Sequence, residues 1–275
     1  MTSLLPSQQT NILERIVAAK RKRLESAKRL APQAHVRDLA ESVPPPLPFI
    51  EALRTKPGVA VIAEMKRSSP SSGQLDEDMV PEEQARAYCA SGAAALSVLT
   101  EQDFFSGTVQ DMAVAKGVSR PLGVPVLAKD FVFDDYQVYE ARAFGADAVL
   151  IIIALLDRAR YRGLLALSRE LGMAALVEVF DERELDTALA ESPRIVGVNN
   201  RDLRTLKTSL DVFERVRRRI PRGTVAVAES GMKSVDDVKR MAAAGAKAVL
   251  VGESLMRAGE GAGAVIKAMS KIATK

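Results

Sequence analysis

Gly145-Ala-Asp-Ala-Val-Leu150 and Gly245-Ala-Lys-Ala-Val-Leu250 are near copies in distant parts of the chain, and Gly92-Ala-Ala-Ala-Leu96 and Gly172-Met-Ala-Ala-Leu-Val177 repeat their form. Glycine suits the left-handed residue that closes a helix, and the small residues behind it let that helix pack closely on the apolar strand that follows. Each stretch therefore reads as a helix end feeding a short buried strand, one half of a strand–helix unit. Helix starts are marked as well: Asp181 with Glu184, Asp211 with Glu214, and Ser234 with Asp237 have the spacing of capping pairs.

Working outward from these stretches, apolar strands are expected near Val61, Leu96, Val126, Leu150, Leu176, Val196, Val227 and Val249. Eight strands alternating with helices predict a closed parallel sheet, the (β/α)8 TIM barrel of the α/β class. An open doubly wound sheet would have fewer strands and a glycine fingerprint after the first. Gly259-Glu-Gly261-Ala-Gly263-Ala264 fits that fingerprint loosely but follows no clear strand. The barrel is assigned to residues 49–275. Residues 1–48 read as an N-terminal helical extension, with a helix over Ser7–Leu30 whose apolar stripe is Ile12, Leu13, Ile16, Val17 and Leu24. An extended linker follows over Ser42–Pro48, containing Pro44, Pro45, Pro46 and Pro48.

Composition narrows the function. Of 275 residues 47% are hydrophobic, but aromatic residues are 4% and tryptophan is absent, so the core must be Ala, Val, Leu and Ile. The longest apolar run, Ala148 to Leu156, is too short to span a bilayer, and Met1–Thr10 lacks the apolar block of a signal peptide. These features predict a cytoplasmic protein with no membrane partner. The one cysteine, Cys89, falls in an Ala-rich helical stretch and reads as packing; the one histidine, His35, lies outside the repeats. A histidine metal site, a Ser/His/Asp triad and a Cys/His pair all need an imidazole in the barrel, so acid–base work falls to Lys, Glu and Asp and no metal site is expected. Net charge is +4, with basic residues gathered in Arg15–Arg29 and in Arg215, Arg217, Arg218, Arg219 and Arg222. Neither group is interleaved with aromatics, so both are expected to be solvated helix faces rather than a nucleic-acid surface; the excess suits an anionic small substrate.

In such barrels the site lies at the carboxyl ends of the strands. The first strand ends Val61-Ile-Ala-Glu64-Met-Lys66, where alternation sets Glu64 and Lys66 on one face, before the loop Arg67-Ser-Ser69-Pro-Ser-Ser-Gly73. The other ends supply Thr100 and Glu101, Lys129 and Asp130, Glu178, Asn199 to Asp202, Glu229 and Ser230, and Gly252 to Ser254. Charges ending so many apolar strands are costly unless they serve a polar ligand. Ser230-Gly231 and Gly252-Glu253-Ser254 are small turns ahead of helices, where amides can face a phosphate. Lys129 reads as an acid and Glu178 as a base placed across the mouth from it, although Lys129 also suits a Schiff-base lysine or a carboxylate's ion partner.

The blocks Ala63–Gly73, Leu99–Gly107, Leu127–Phe131, Leu176–Val179, Gly197–Leu203, Ala228–Gly231 and Gly252–Leu255 resemble, in order, those of the indole-3-glycerol-phosphate synthases. The leading Ile12–Ile16 and Lys20-Arg-Lys22 resemble that family's additional amino-terminal helices. The resemblance implies ring closure of 1-(2-carboxyphenylamino)-1-deoxyribulose 5-phosphate with loss of carbon dioxide and water, without cofactor or metal, by a monomer in tryptophan biosynthesis. By the same resemblance Lys129 is the general acid, Glu178 assists loss of the hydroxyl and a ring proton, and Glu64 orients the lysine. Lys66 sits near the substrate carboxylate and phosphate; Ser69, Asn199, Arg201, Glu229 and Ser230 shape the site. Phe105 and Phe131 wall the aromatic ring, and Gly231, Gly252, Glu253 and Ser254 hold phosphate with Lys66. Ser68 and Phe180 depart from the pattern, the first standing where some members carry lysine. Two other readings are a Schiff-base aldolase on a sugar phosphate, and a phosphate sensor or nucleic-acid protein using the basic amino-terminal helix.

Overall fold

The computed structural model describes residues 11–274. Eight parallel strands close on themselves in sequential order: β1 Ala60–Met65, β2 Ala95–Leu99, β3 Val126–Lys129, β4 Ala148–Ile152, β5 Ala174–Val179, β6 Ile195–Asn199, β7 Val225–Glu229 and β8 Ala248–Val251. Each expected strand centre falls inside one of them. Before the barrel come α1 Ile12–Leu30, α2 Gln33–Ser42 and α3 Phe49–Arg54. After successive strands come α4 Pro81–Ala90, α5 Val109–Ser119, α6 Asp135–Ala143, α7 Arg158–Glu170, α8 Glu182–Leu189, α9 Asp211–Arg217, α10 Val235–Ala243, α11 Glu253–Ala258 and α12 Ala262–Ser270.

The period of two along each strand divides the core. In β1, Val61, Ala63 and Met65 point out into the layer shared with the helices, whereas Ala60 and Ile62 point inward to meet Leu127, Leu150, Leu176, Val227 and Leu250. Phe49, Ile50 and Leu53 of α3 join this inner cluster beside the amino ends of the strands, and Leu13, Ile16 and Phe131 join it at the carboxyl ends. The four glycines of the repeats all have positive φ, between 74° and 101°, as their helix-closing reading requires.

The repeat also carries a device that its spacing did not disclose. Asp147, from the first quoted stretch, has no exposure and accepts hydrogen bonds from Lys116 Nζ (2.5 Å), Val126 N (2.7 Å) and Leu47 N (2.6 Å). Burial pulls the Lys116 pKa below that of an ordinary lysine while the Asp147 carboxylate opposes it. Prolines of the linker have no N–H to offer, so its carbonyls are taken by arginines instead. Arg142 donates to the carbonyls of Val43 (3.0 Å) and Pro44 (2.5 Å), and Arg120 to that of Pro45 (3.1 Å). At the equivalent place in the second stretch, Lys247 donates to the carbonyl of Lys56 at 2.6 Å.

Three sequence expectations change. The extended linker begins at Val43, because residues 33–42 form α2, which packs on α6 through the cluster of Val36, Leu24 and Tyr136. Asp211 and Glu214 do not cap α9; both pair with Arg240. Gly259–Gly261 is a single 3-10 turn and Gly263 lies within α12, so no dinucleotide loop exists there. The part of the first helix expected over Ser7–Thr10, and the Met1–Thr10 reading, lie outside the described residues. Among the described residues no helix is long and apolar enough to cross a membrane.

Asp147→Ala strands a buried ammonium and two amides, so it is expected to cost about 3–5 kcal/mol of stability. An unchanged urea midpoint would show that this anchorage contributes nothing.

Candidate active site

At the carboxyl end of the barrel the inward positions turn from apolar to charged. Glu64, Glu178 and Glu229, the inward residues of β1, β5 and β7, are 5%, 2% and 1% exposed. Such carboxylates survive burial only if paired. Glu64 Oε1 accepts from Lys66 Nζ at 2.7 Å, and Lys129 Nζ lies 2.9 Å from Glu178 and 3.0 Å from Glu229. Asn199 Nδ2 donates to the other Glu178 oxygen at 3.1 Å, while its own Oδ1 accepts from the Arg201 amide at 3.0 Å, so the amide side chain is fixed from both ends.

Two glycines make room for this layer. A Cβ at Gly197 would lie 1.8 Å from Glu229 Oε1, and one at Gly252 would lie 2.2 Å from Glu64 Oε1. Their absent side chains are thus a condition for two buried carboxylates on neighbouring strands.

The cluster sets its own protonation. Burial alone would strip Lys129, but Glu178, Glu229 and Glu64 outweigh it and hold its pKa above the ordinary lysine range. Burial likewise works against the Glu178 carboxylate, yet the charge and hydrogen bond of Lys129 and the bond from Asn199 keep it below the usual value. Glu229 goes the other way: burial and the adjacent Glu178 charge, opposed by Lys129, push its carboxyl up to about 8. Near neutral pH the triad is a lysinium, a carboxylate and a neutral acid.

Two joined cavities open above this layer. One is walled by Ile12, Leu13 and Ile16 of α1 with Phe105, Phe131, Leu150, Ile152, Leu203 and Leu206, and its floor holds Glu64, Lys66, Ser69, Lys129, Glu178, Asn199, Arg201 and Ser230. Phe105 and Phe131 lean on each other with centroids 5.9 Å apart. The second cavity shares Glu64, Lys66, Lys129, Arg201 and Ser230 and adds Glu229, Gly231, Gly252, Glu253 and Ser254. All fifteen residues expected at the site therefore line one mouth. Ser230 and Gly231 both have positive φ (62° and 83°), and Asn200 supports that turn by donating to the Ser230 carbonyl at 3.1 Å while accepting from Phe213 N at 3.0 Å. Among the described residues, no acidic, His or Cys cluster has the makings of a metal site.

The geometry also departs from the sequence reading. Lys129 and Glu178 do not face each other across the mouth; they are hydrogen-bonded partners. Glu64 pairs with Lys66, and acts on Lys129 through its charge alone. The basic face of α1 is not merely solvated: Lys20 pairs with Asp130, Arg23 with Asp103 and Lys28 with Asp134, while Arg21 stacks 4.7 Å over Phe133. Asp130 also accepts from Thr100 Oγ1 at 2.7 Å, so the residue after Lys129 is tied to both α1 and β2's end. Ser68 bonds Ser106 and the Phe104 carbonyl and lies outside both cavities. Phe180 lies beneath Arg204 at 5.8 Å. Sequence reasoning placed Asn200 at its strand end but gave it no role, although its tandem with Asn199 was an available signal: adjacent strand residues face opposite sides. It also missed Leu206, Lys233 and Arg257 and gave Leu203 no role; Leu203, Leu206 and Lys233 sit in loops and Arg257 in the last turn of the short α11, all without periodicity.

The fold and mouth define a (β/α)8-barrel enzyme with an acid–base cluster between an apolar wall and a basic basin. The chain belongs to the indole-3-glycerol phosphate synthase family, whose sequence model matches residues 13–268. It is 48% identical over 251 residues to indole-3-glycerol phosphate synthase 2 of Streptomyces coelicolor, covering 91% of this chain and 96% of that protein. Identity is also 48% to the synthase of Albidiferax ferrireducens, over 90% and 94% of the two chains, and 44% to that of Mycobacteroides abscessus, over 92% of each. Solved structures share the fold: a thiamine phosphate pyrophosphorylase from Pyrococcus furiosus superposes with TM-score 0.59 at 16% identity, covering 80% of this chain and 96% of that one.

The protonation pattern makes a kinetic prediction. As pH rises through about 8, Glu229 loses its proton and adds a second negative charge beside Lys129, which then holds its proton more tightly. Turnover number should therefore fall along a limb near pH 8 that Glu229→Gln, which cannot ionise, lacks. A kcat–pH profile with the same limb in both proteins would reject this assignment.

Proposed function

We infer that this chain is a carboxy-lyase that closes 1-(2-carboxyphenylamino)-1-deoxyribulose 5-phosphate to indole-3-glycerol phosphate, releasing carbon dioxide and water in tryptophan biosynthesis. The observation that carries the reading is the position of the Lys129–Glu178–Glu229 cluster, between an aromatic-lined wall and a basic basin. The substrate has the same order: an aryl ring at one end, a phosphate at the other, and the reacting ketone between them. Holding both reacting carbons of one molecule in a folded conformer removes much of the entropic barrier.

In this reading the Lys129 ammonium donates a proton to the ketone oxygen as the ring carbon bearing the carboxylate attacks. Carbon dioxide then leaves, returning its electron pair to the ring system. The new hydroxyl departs as water after taking up a second proton, and Glu178 accepts the proton released from the former methylene carbon. Two protons go to oxygen and one comes back, so one is drawn from solvent in each turnover. Lys66, paired with Glu64, sets its positive charge beside the substrate's anionic groups, and Phe105 and Phe131 flank the ring. Ser69, Asn199, Arg201 and Ser230 fix the floor, and the amides of Gly231, Gly252, Glu253 and Ser254 receive the phosphate. A lysine kept charged by the Glu178 carboxylate beside it is a poor amine nucleophile, which favours acid catalysis over a Schiff base. The same reading takes the protein to act in the cytoplasm, as a monomer, without a cofactor.

Supplying the carboxyphenylamino-deoxyribulose phosphate should produce indole fluorescence. Lys129→Ala and Glu178→Gln are each expected to lower kcat at least about 100-fold with the fold retained by circular dichroism. Near-normal turnover in either would remove its assigned role.

A further inference from the structure

The loops after β7 and β8 do not offer the phosphate equal numbers of amides. Asp237 closes the start of α10, accepting from Lys233 N at 2.9 Å and from Ser234 N at 3.0 Å, while the Ser234 hydroxyl accepts from Asp237 N. The backbone donors of Lys233 and Ser234 are thereby consumed by a capping box. What the loop after β7 has left to offer an anion beyond Gly231 and Met232 is the exposed Lys233 side chain, which lines the second cavity.

The charges around that cavity point the same way. Lys66 is neutralised by Glu64, and Lys129 by Glu178, while the neighbouring Glu229 carboxyl, raised to about 8, adds no charge near neutral pH. Arg257 and Arg201 share Glu253, at 3.1 Å and 3.7 Å. Among the described residues, Lys233 is the one lining cation with no acidic partner. Arg201, Arg257 and Lys233 set against the single carboxylate of Glu253 leave two positive charges, the complement of a phosphate monoester near its dianionic state, about −1.5 to −2 at pH 7. Without Lys233 the basin falls short by one charge.

We propose that Lys233 is a phosphate-binding residue of this enzyme, an exposed cation at the rim that completes the charge balance for the substrate's phosphoryl group. Its reach comes from the flexible four-carbon stem, and its ammonium makes no ion pair among the described residues. It lines the second cavity but not the aromatic-walled one and makes no bond to Lys129, Glu178 or Glu229, so its contribution is to substrate capture rather than to proton transfer. This rests on the phosphorylated-substrate reading given above and assigns it a residue that the family pattern did not supply.

The test compares the unaltered protein with Lys233→Ala and Lys233→Arg. In the alanine variant KM for the carboxyphenylamino-deoxyribulose phosphate is expected to rise about five- to tenfold with kcat within about twofold, and the increase of KM with added salt should become shallower. Inhibition by inorganic phosphate should weaken by a similar factor, and Lys233→Arg should restore both. Unchanged KM and unchanged phosphate inhibition in Lys233→Ala would overturn the proposal, as would a loss confined to kcat. If the unaltered protein formed no indole at all, the functional reading would fall by itself, and direct titration with inorganic phosphate would still decide whether Lys233 binds the anion.

Discussion

A lysinium held between a buried carboxylate and a buried carboxylic acid is the constraint from which the rest of this molecule follows. Charges at this depth are stable only when matched within hydrogen-bond distance, and Lys129 and Glu178 meet that condition, with the Glu229 carboxyl bonded to the same ammonium from a third strand. The match needs a closed barrel, because no open sheet would bring the ends of β3, β5 and β7 to a common point. It also needs Gly197, whose missing Cβ leaves the space that the Glu229 carboxylate occupies. Burial raises both carboxyls alike; Lys129 and the Asn199 hydrogen bond hold Glu178 below the usual value, while the Glu178 charge leaves Glu229 raised, so surroundings rather than residue type separate the two.

Around that cluster the amino-terminal extension completes the mouth. Its apolar stripe contributes Ile12, Leu13 and Ile16 to the pocket wall, and its basic face pairs with acids on the barrel's loops. Far below, the proline-rich linker is held at the barrel by Asp147 and two arginines. The extension is thus fixed at two ends, by ion pairs above, of which Lys20–Asp130 is largely buried and Arg23–Asp103 exposed, and by side-chain hydrogen bonds to the linker backbone below. An exposed pair such as Arg23–Asp103 contributes little, so the apolar stripe, the largely buried Lys20–Asp130 pair and the lower hydrogen bonds carry most of the attachment.

The architecture was legible in the chain. Four glycine-to-strand stretches and the alternation at their flanks identify eight strands, and the low aromatic content describes a core of aliphatic layers. The site was legible as a set, because polar residues ending apolar strands are expensive and therefore informative. Lys129, Glu178, Glu229 and Asn199 could each be named from position alone. Helix α2 was not legible: the prolines that follow it dominate the local pattern, and its two buried residues, Val36 and Ala40, make too short a stripe to stand out.

By itself the sequence determined which residues face inward, since a period of two needs no tertiary information, and which loops carry the chemistry, since strand ends are marked by where apolar residues stop. Only the tertiary structure decided which of those charges are partners. Lys129 and Glu178 are 49 residues apart in the chain, and strand count and polarity are satisfied equally well by a facing pair and by a bonded one. Distance between side chains depends on barrel radius, strand stagger and the room left by Gly197 and Gly252, which are properties of the closed sheet as a whole. For the same reason the direction of each pKa shift belongs to the fold, because burial and neighbouring charge act through space rather than along the chain.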